Sequence, residues 1–106
     1  MSEKTFSYEL AVTPGKQMLG LMFSKPKNLL FEFWKEGIHQ IHSWFVFHEF
    51  DALYLDENMK VLEKFHVKPF YVLENKIPAK YLLEVSEPND VIVGDVIVCK
   101  TKELNK

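Results

Sequence analysis

Hydrophobic and polar positions alternate from the start of the chain. Phe6, Tyr8, Leu10 and Val12 interleave with Thr5, Ser7, Glu9 and Ala11. A period of two places one set on a buried face, so the spacing predicts a half-buried strand. Thr13-Pro14 breaks that rhythm, because threonine caps helix N-termini and proline suits the first helical position. Met18, Leu21 and Met22 then recur at intervals of three and four, which predicts one short helix over about residues 14–22. Gly20 either ends that helix or lets another backbone approach closely.

Beyond a polar loop at Ser24–Asn28, Leu29 to Phe33 reads as a second strand, apolar on both faces except at Glu32. Lys35-Glu36-Gly37 reads as a turn. Trp44 to Phe47 and Phe50 to Leu55 are expected strands, with a bend near His48-Glu49. Asp56-Glu57-Asn58 is an expected hairpin turn with Asn58 in the left-handed conformation, and Met59 to Val67 returns as the partner strand. Lys68-Pro69-Phe70 breaks it, and Tyr71 to Leu73 pairs briefly. Tyr81, Leu83 and Val85 face inward on the next strand, with Lys80 and Glu84 outward. Gly94-Asp95 turns into Val96–Cys99, which is apolar on both faces and so expected to be internal. Short strands with one helix predict an all-β barrel or sandwich. The expected organisation is a single domain over 1–106, with its core over about 5–101 and a polar tail at 102–106.

Composition narrows this picture. The chain has 106 residues, 47% of them hydrophobic and 14% aromatic, which suffices for a core without metal or disulfide. Its one cysteine, Cys99, excludes an intrachain disulfide and reads as a small core hydrophobe. A net charge of -2 points away from nucleic acid. No run is long enough to span a bilayer, and the polar start is not a secretory signal, so a cytoplasmic, membrane-free protein is expected, with a monomer favoured.

The candidate chemistry centres on Asp51. In Asp51-Ala52-Leu53-Tyr54-Leu55 the aspartate shares a face with Leu53 and Leu55, so a carboxylate lies on a core-facing row. Burial there demands partners. It serves either as a ligand acceptor or as a structural acceptor for backbone N–H groups of a neighbouring loop. His48 or His66 could partner a carboxylate. His39, His42, His48 and His66 form no metal pattern, since a spacing of three on a strand points to opposite faces; neither metal nor cofactor is expected. Aromatics from Phe31 to Tyr54 could form a stacking wall for a flat polar ligand, although core packing must absorb most of them. Trp34, beside its turn, is the best candidate for an exposed ring. No nucleophile motif or phosphate loop is present.

The order of motifs resembles a known family. Ala11-Val12-Thr13, Gly20-Leu21-Met22-Phe23, Leu29-Leu30-Phe31-Glu32-Phe33, Trp44-Phe45, Asp51 to Asp56, Lys68-Pro69-Phe70, Tyr81 to Val85 and Val93-Gly94-Asp95-Val96 follow one another as in the domain of unknown function 192 family, also called uncharacterised protein family 0127. The resemblance implies a small compact β domain with no settled activity, in a family with many secreted or anchored members. It also implies that Asp51 and the Gly94-Asp95 turn match family positions. One departure is plain. The family carries a basic or amide residue and a proline just before the aspartate, whereas this chain has Val46-Phe47-His48-Glu49-Phe50.

The candidate ligand-binding set is therefore Asp51, His48, Trp44, Trp34 and Asp95. The leading expectation is a non-enzymatic binding module for a small polar ligand, a saccharide being one candidate. The alternatives are a protein–protein module using the aromatic strand and an enzyme with Asp51 as general acid or base, assisted by His48.

Overall fold

The computed structural model describes residues 2–11, 28–38, 40–42 and 48–99. Nine strands occupy them. The first four are β1 (Glu3–Phe6), β2 (Glu9–Ala11), β3 (Leu29–Gly37) and β4 (Gln40–His42). They are followed by β5 (Phe50–Leu55), β6 (Val61–Val67), β7 (Val72–Glu74), β8 (Ala79–Val85) and β9 (Val96–Cys99). No helix occurs among the described residues. The helix expected over about 14–22 and the strand expected at 44–47 lie outside them.

The main sheet has the order β2-β3-β8-β5-β6, with β1-β9 and β4-β7 as separate two-stranded pairs. The fold is all-β, as the alternation predicts. The barrel is not: among the described residues the sheet ends in β2 on one side and β6 on the other. Closure needs those two edges to pair. Instead, Glu63 on β6 accepts hydrogen bonds from the backbone N–H groups of Lys76 and Ile77, at 2.6 and 2.7 Å, and ties the 76–77 loop to that edge.

Both faces of the sheet are buried. One carries Leu29, Phe31, Phe50, Ala52, Tyr54, Val67 and Leu82. The other carries Leu30, Leu53, Leu55, Val61, Leu83 and Val85, covered by Phe6, Tyr8, Val91 and Ile97. Asp51 lies on this second face, in line with Leu53 and Leu55, as the period of two requires.

Several local expectations are corrected. The turn at 35–37 is instead the end of β3, which shifts register between Glu32 and Gly37. The left-handed residue of the 56–60 loop is Met59, with φ of 66°, not Asn58. Asp56 explains why: its Oδ1 accepts from Asn58 N and Lys60 N, which stretches the loop by two residues. β9 pairs in parallel with β1 rather than lying inside the main sheet, because the Gly94 turn, with φ of 100°, sends it along the N-terminal strand. Glu84 does not face outward. It is 5% exposed, since the face that alternation assigned to solvent is itself covered.

Candidate functional site

Register builds the site. Asp51 on β5 pairs with His66 on β6 and with Val85 on β8, so these three side chains form a row across one face. Directly opposed side chains in a sheet lie about 5 Å apart, within reach of one another. His66 Nδ1 lies 2.8 Å from Asp51 Oδ1, and His66 Nε2 lies 2.6 Å from Glu49 Oε1. An imidazole facing an acceptor at each nitrogen satisfies both only when both carry protons. The ring is accordingly held above the ordinary histidine pKa, first by the Asp51 hydrogen bond and then by that of Glu49.

The other oxygen of Asp51 is also engaged. Asn89 Nδ2 donates to Asp51 Oδ2 at 2.8 Å, and Lys64 Nζ lies 3.9 Å from the same atom. Lys64 is anchored by Asn89 Oδ1 at 3.1 Å and the Val91 carbonyl at 2.8 Å. Asn89 Oδ1 in addition accepts from Val91 N at 3.1 Å, which fixes the loop after β8 in a side-chain-stabilised turn. Among the described residues Asp51, 15% exposed at its side chain, is thus held by side chains from β6 and from the 86–91 loop rather than by backbone N–H groups. With both oxygens occupied it orients its neighbours, a poor arrangement for a group that must itself pass a proton to a ligand.

Beside this cluster opens a hollow of about 270 Å³. Phe50, Val85 and Pro88 contribute apolar lining, and Glu49, Asp51, His66, Ser86 and Glu87 contribute polar lining. Glu49 is 54% exposed at its side chain, and His66 is its one hydrogen-bonding partner among the described residues. Glu87 Oε2 lies 3.4 Å from Asn28 Nδ2. The hollow therefore presents two exposed carboxylates and a serine hydroxyl beside apolar surface.

The other expected site residues fall elsewhere. His48 does not touch Asp51. Its Nε2 lies 3.2 Å from Ser86 Oγ, its ring packs edge-on to Phe50, and burial pushes its pKa down. It borders the hollow through Ser86 without lining it. Asp95 is 1% exposed and accepts hydrogen bonds from Ser2 N, Ser2 Oγ and Ile92 N. Its backbone carbonyl accepts from Val61 N, at the opposite end of β6 from His66 and roughly 16 Å away along the strand. Asp95 is a clasp on the N-terminus, remote from the hollow. Trp34 contributes backbone to β3, and Trp44 lies outside the described residues. Glu49, His66, Ser86, Glu87 and Asn89 complete the site, and no spacing rule points to them as a set. His66 alone carried a signal, as a possible partner for a carboxylate. Among the described residues no group of three or more His, Cys, Asp or Glu is arranged to hold a metal ion. No helix among them is long and apolar enough to cross a membrane, which says nothing about crossing by strands.

Comparison with known proteins agrees with the motif order. The DUF192 family profile, described as uncharacterized ACR, matches residues 1–91. A UPF0127 protein of Pyrococcus horikoshii is 32% identical over 72 residues, covering 65% of this chain and 63% of that protein. The chain thus spans less than two thirds of that relative. A UPF0127 protein of Pyrococcus furiosus is 32% identical over 87 residues, covering 76% of this chain and 75% of that protein. The fold also resembles a crystal structure of a protein of unknown function from Novosphingobium aromaticivorans, with a TM-score of 0.67 and 20% identity over 74% of this chain and 61% of the other.

Proposed function

This chain belongs to the DUF192 family, whose role is uncharacterised, and we propose that it is a non-enzymatic binding module. Its ligand is small and rich in hydroxyl donors, of the saccharide class, and sits in the hollow beside Asp51. One observation carries this reading: the Asp51–His66–Glu49 chain of hydrogen bonds runs along the wall of an open hollow with apolar surface beside it. A hydroxylated ring offers O–H donors along its edge and C–H groups on its faces. Carboxylates and Ser86 match the first, and the exposed ring of Pro88 matches the second. The volume approaches the lower end of small-ligand pockets, roughly 300 Å³, which suits a monosaccharide unit. Asp51 acts by holding His66, and Glu49 and Glu87 meet the ligand.

Titrating isotope-labelled protein with a panel of monosaccharides tests the reading. Amide shifts are expected at residues 49–51, 66 and 85–88. If no sugar at roughly ten millimolar, a weak-binding regime, moves those amides, the reading is wrong.

A further inference from the structure

His66 has two carboxylate neighbours and, when neutral, one proton to share between them. Asp51 has the stronger hold on it. Its side chain is 15% exposed against 54% for Glu49, and its second oxygen is pinned by Asn89 at 2.8 Å. Glu49 has no comparable anchor, since His66 is its one partner among the described residues. Loss of one ring proton therefore leaves the Nε2 lone pair against the Glu49 carboxylate, and a contact of 2.6 Å between two acceptors is repulsive.

We propose that His66 is a proton-controlled positioning residue for the hollow: protonated, it holds Glu49 on the rim to receive a hydroxylated ligand, and deprotonated, it lets Glu49 go. This inference rests on the binding role given above and adds its regulation. The charged surroundings agree with the assignment. From β5 and the segment before it, Asp51 and Glu49 face the ring directly. On its own strand Lys64 is turned to Asn89, the Val91 carbonyl and, at 3.9 Å, the Asp51 oxygen away from the ring, and Lys68 follows two residues on. From the loop after β8, Glu87 shares the hollow. His48 is engaged with Ser86 and is the other histidine bordering this site. The two adjacent carboxylates raise the ring's pKa, so its titration falls above the ordinary histidine value, whereas burial moves His48 the opposite way. The two titrations are thereby separable.

The consequence for binding has a sign. Below the His66 transition Glu49 is ordered before the ligand arrives, and above it the ligand must order Glu49 itself. Immobilising one long side chain corresponds to a loss of roughly threefold to tenfold in affinity. A cationic ligand would show the reverse, because the hollow gains negative charge when His66 loses its proton.

The experiment follows the His66 ring and the Glu49 side-chain carboxyl carbon by NMR from about pH 5 to about pH 9, first without ligand and then with the tightest-binding sugar of the panel. Without ligand, the Glu49 carbon is expected to shift with the His66 midpoint. With sugar, affinity falls across the same midpoint, and His66→Phe, which keeps a flat ring without donors at an exposed position, removes the pH dependence. A Glu49 carbon indifferent to the His66 titration, or an affinity that is flat or rises with pH, overturns the proposal. The two readings fail separately. Coupled titration without sugar binding leaves the switch and removes the binding role, and sugar binding without coupled titration does the opposite.

Discussion

Glu84 is the least comfortable of the described residues. It lies between Leu29 and Ala52 in the register of β3, β8 and β5, and among the described residues its Oε1 has no hydrogen-bonding partner. Desolvation raises its pKa from 4.5 to about 8. The folded state therefore holds a proton on Glu84 that the unfolded chain releases above the ordinary glutamate value. Stability contributed by this group is fully present below pH 4.5 and declines as pH rises towards the folded value of about 8. At about 1.4 kcal/mol per pH unit, the loss between pH 5 and 7 is about 3 kcal/mol. Glu84→Gln, which cannot ionise, should flatten that decline, as chemical denaturation at a series of pH values would show. An undiminished slope in the variant would assign the decline to another group. Alternation alone assigned Glu84 to solvent, because a period of two distinguishes faces but does not say whether a second layer covers the far one.

At the scale of elements, the hairpin of β5 and β6 decides the site. A turn closing directly between Leu55 and Met59 would set Glu63 opposite Asp51, placing two carboxylates face to face. The actual loop takes in residues 56–60, with Asp56 N donating to the Lys60 carbonyl and an irregularity between Tyr54 and Leu55. That longer loop and irregular pairing bring His66 opposite Asp51 and Glu63 opposite Tyr54. Glu63 is thereby free to hold the 76–77 backbone on the sheet edge. Glu63→Ala should cost about 1–2 kcal/mol by removing a charged acceptor from two N–H groups. Amide exchange at Lys76 and Ile77 should speed up more than at β8. Equal acceleration at both places would mean that the loop is held by other contacts. The strands themselves were legible, since Phe50 to Leu55 and Ala79 to Val85 are short runs whose apolar residues recur with a period of two. Register was not legible, because the left-handed residue that sets the loop is Met59, a type that seldom adopts that conformation.

For the whole molecule, Asp95 joins the two ends of the described chain. Its carboxylate spans Ser2 and Ile92, while its carbonyl and the Gly94 N–H engage Val61, so the 92–95 turn, β1 and the start of β6 meet at one point. The hydrogen bond from Ile92 N leads in lowering its pKa. A depressed carboxylate stabilises the fold above its ordinary pKa, and that stability is lost as pH falls through the folded value. Asp95→Ala should lower Tm and speed amide exchange together in residues 2–6 and 92–97, while leaving the His66 titration where it is. A shift of the His66 midpoint in this variant would mean that clasp and hollow are coupled. The Gly94-Asp95 pair was visible as a turn, and its placement in the candidate set came from the family resemblance, which marks Asp51 and Asp95 alike. They stand at opposite ends of the β5–β6 hairpin.

The chain by itself determined that the protein is built of strands, which faces of β5 and β8 carry the aliphatic row, and that Asp51 sits on that row. Each of these depends on neighbours one or two residues apart, and alternation is a local property. Tertiary structure alone decided who meets Asp51, that Glu84 is covered, and that Asp95 clasps Ser2. Those contacts join residues from 13 to 93 positions apart, and their geometry depends on loop length and strand register, which no short window of sequence contains.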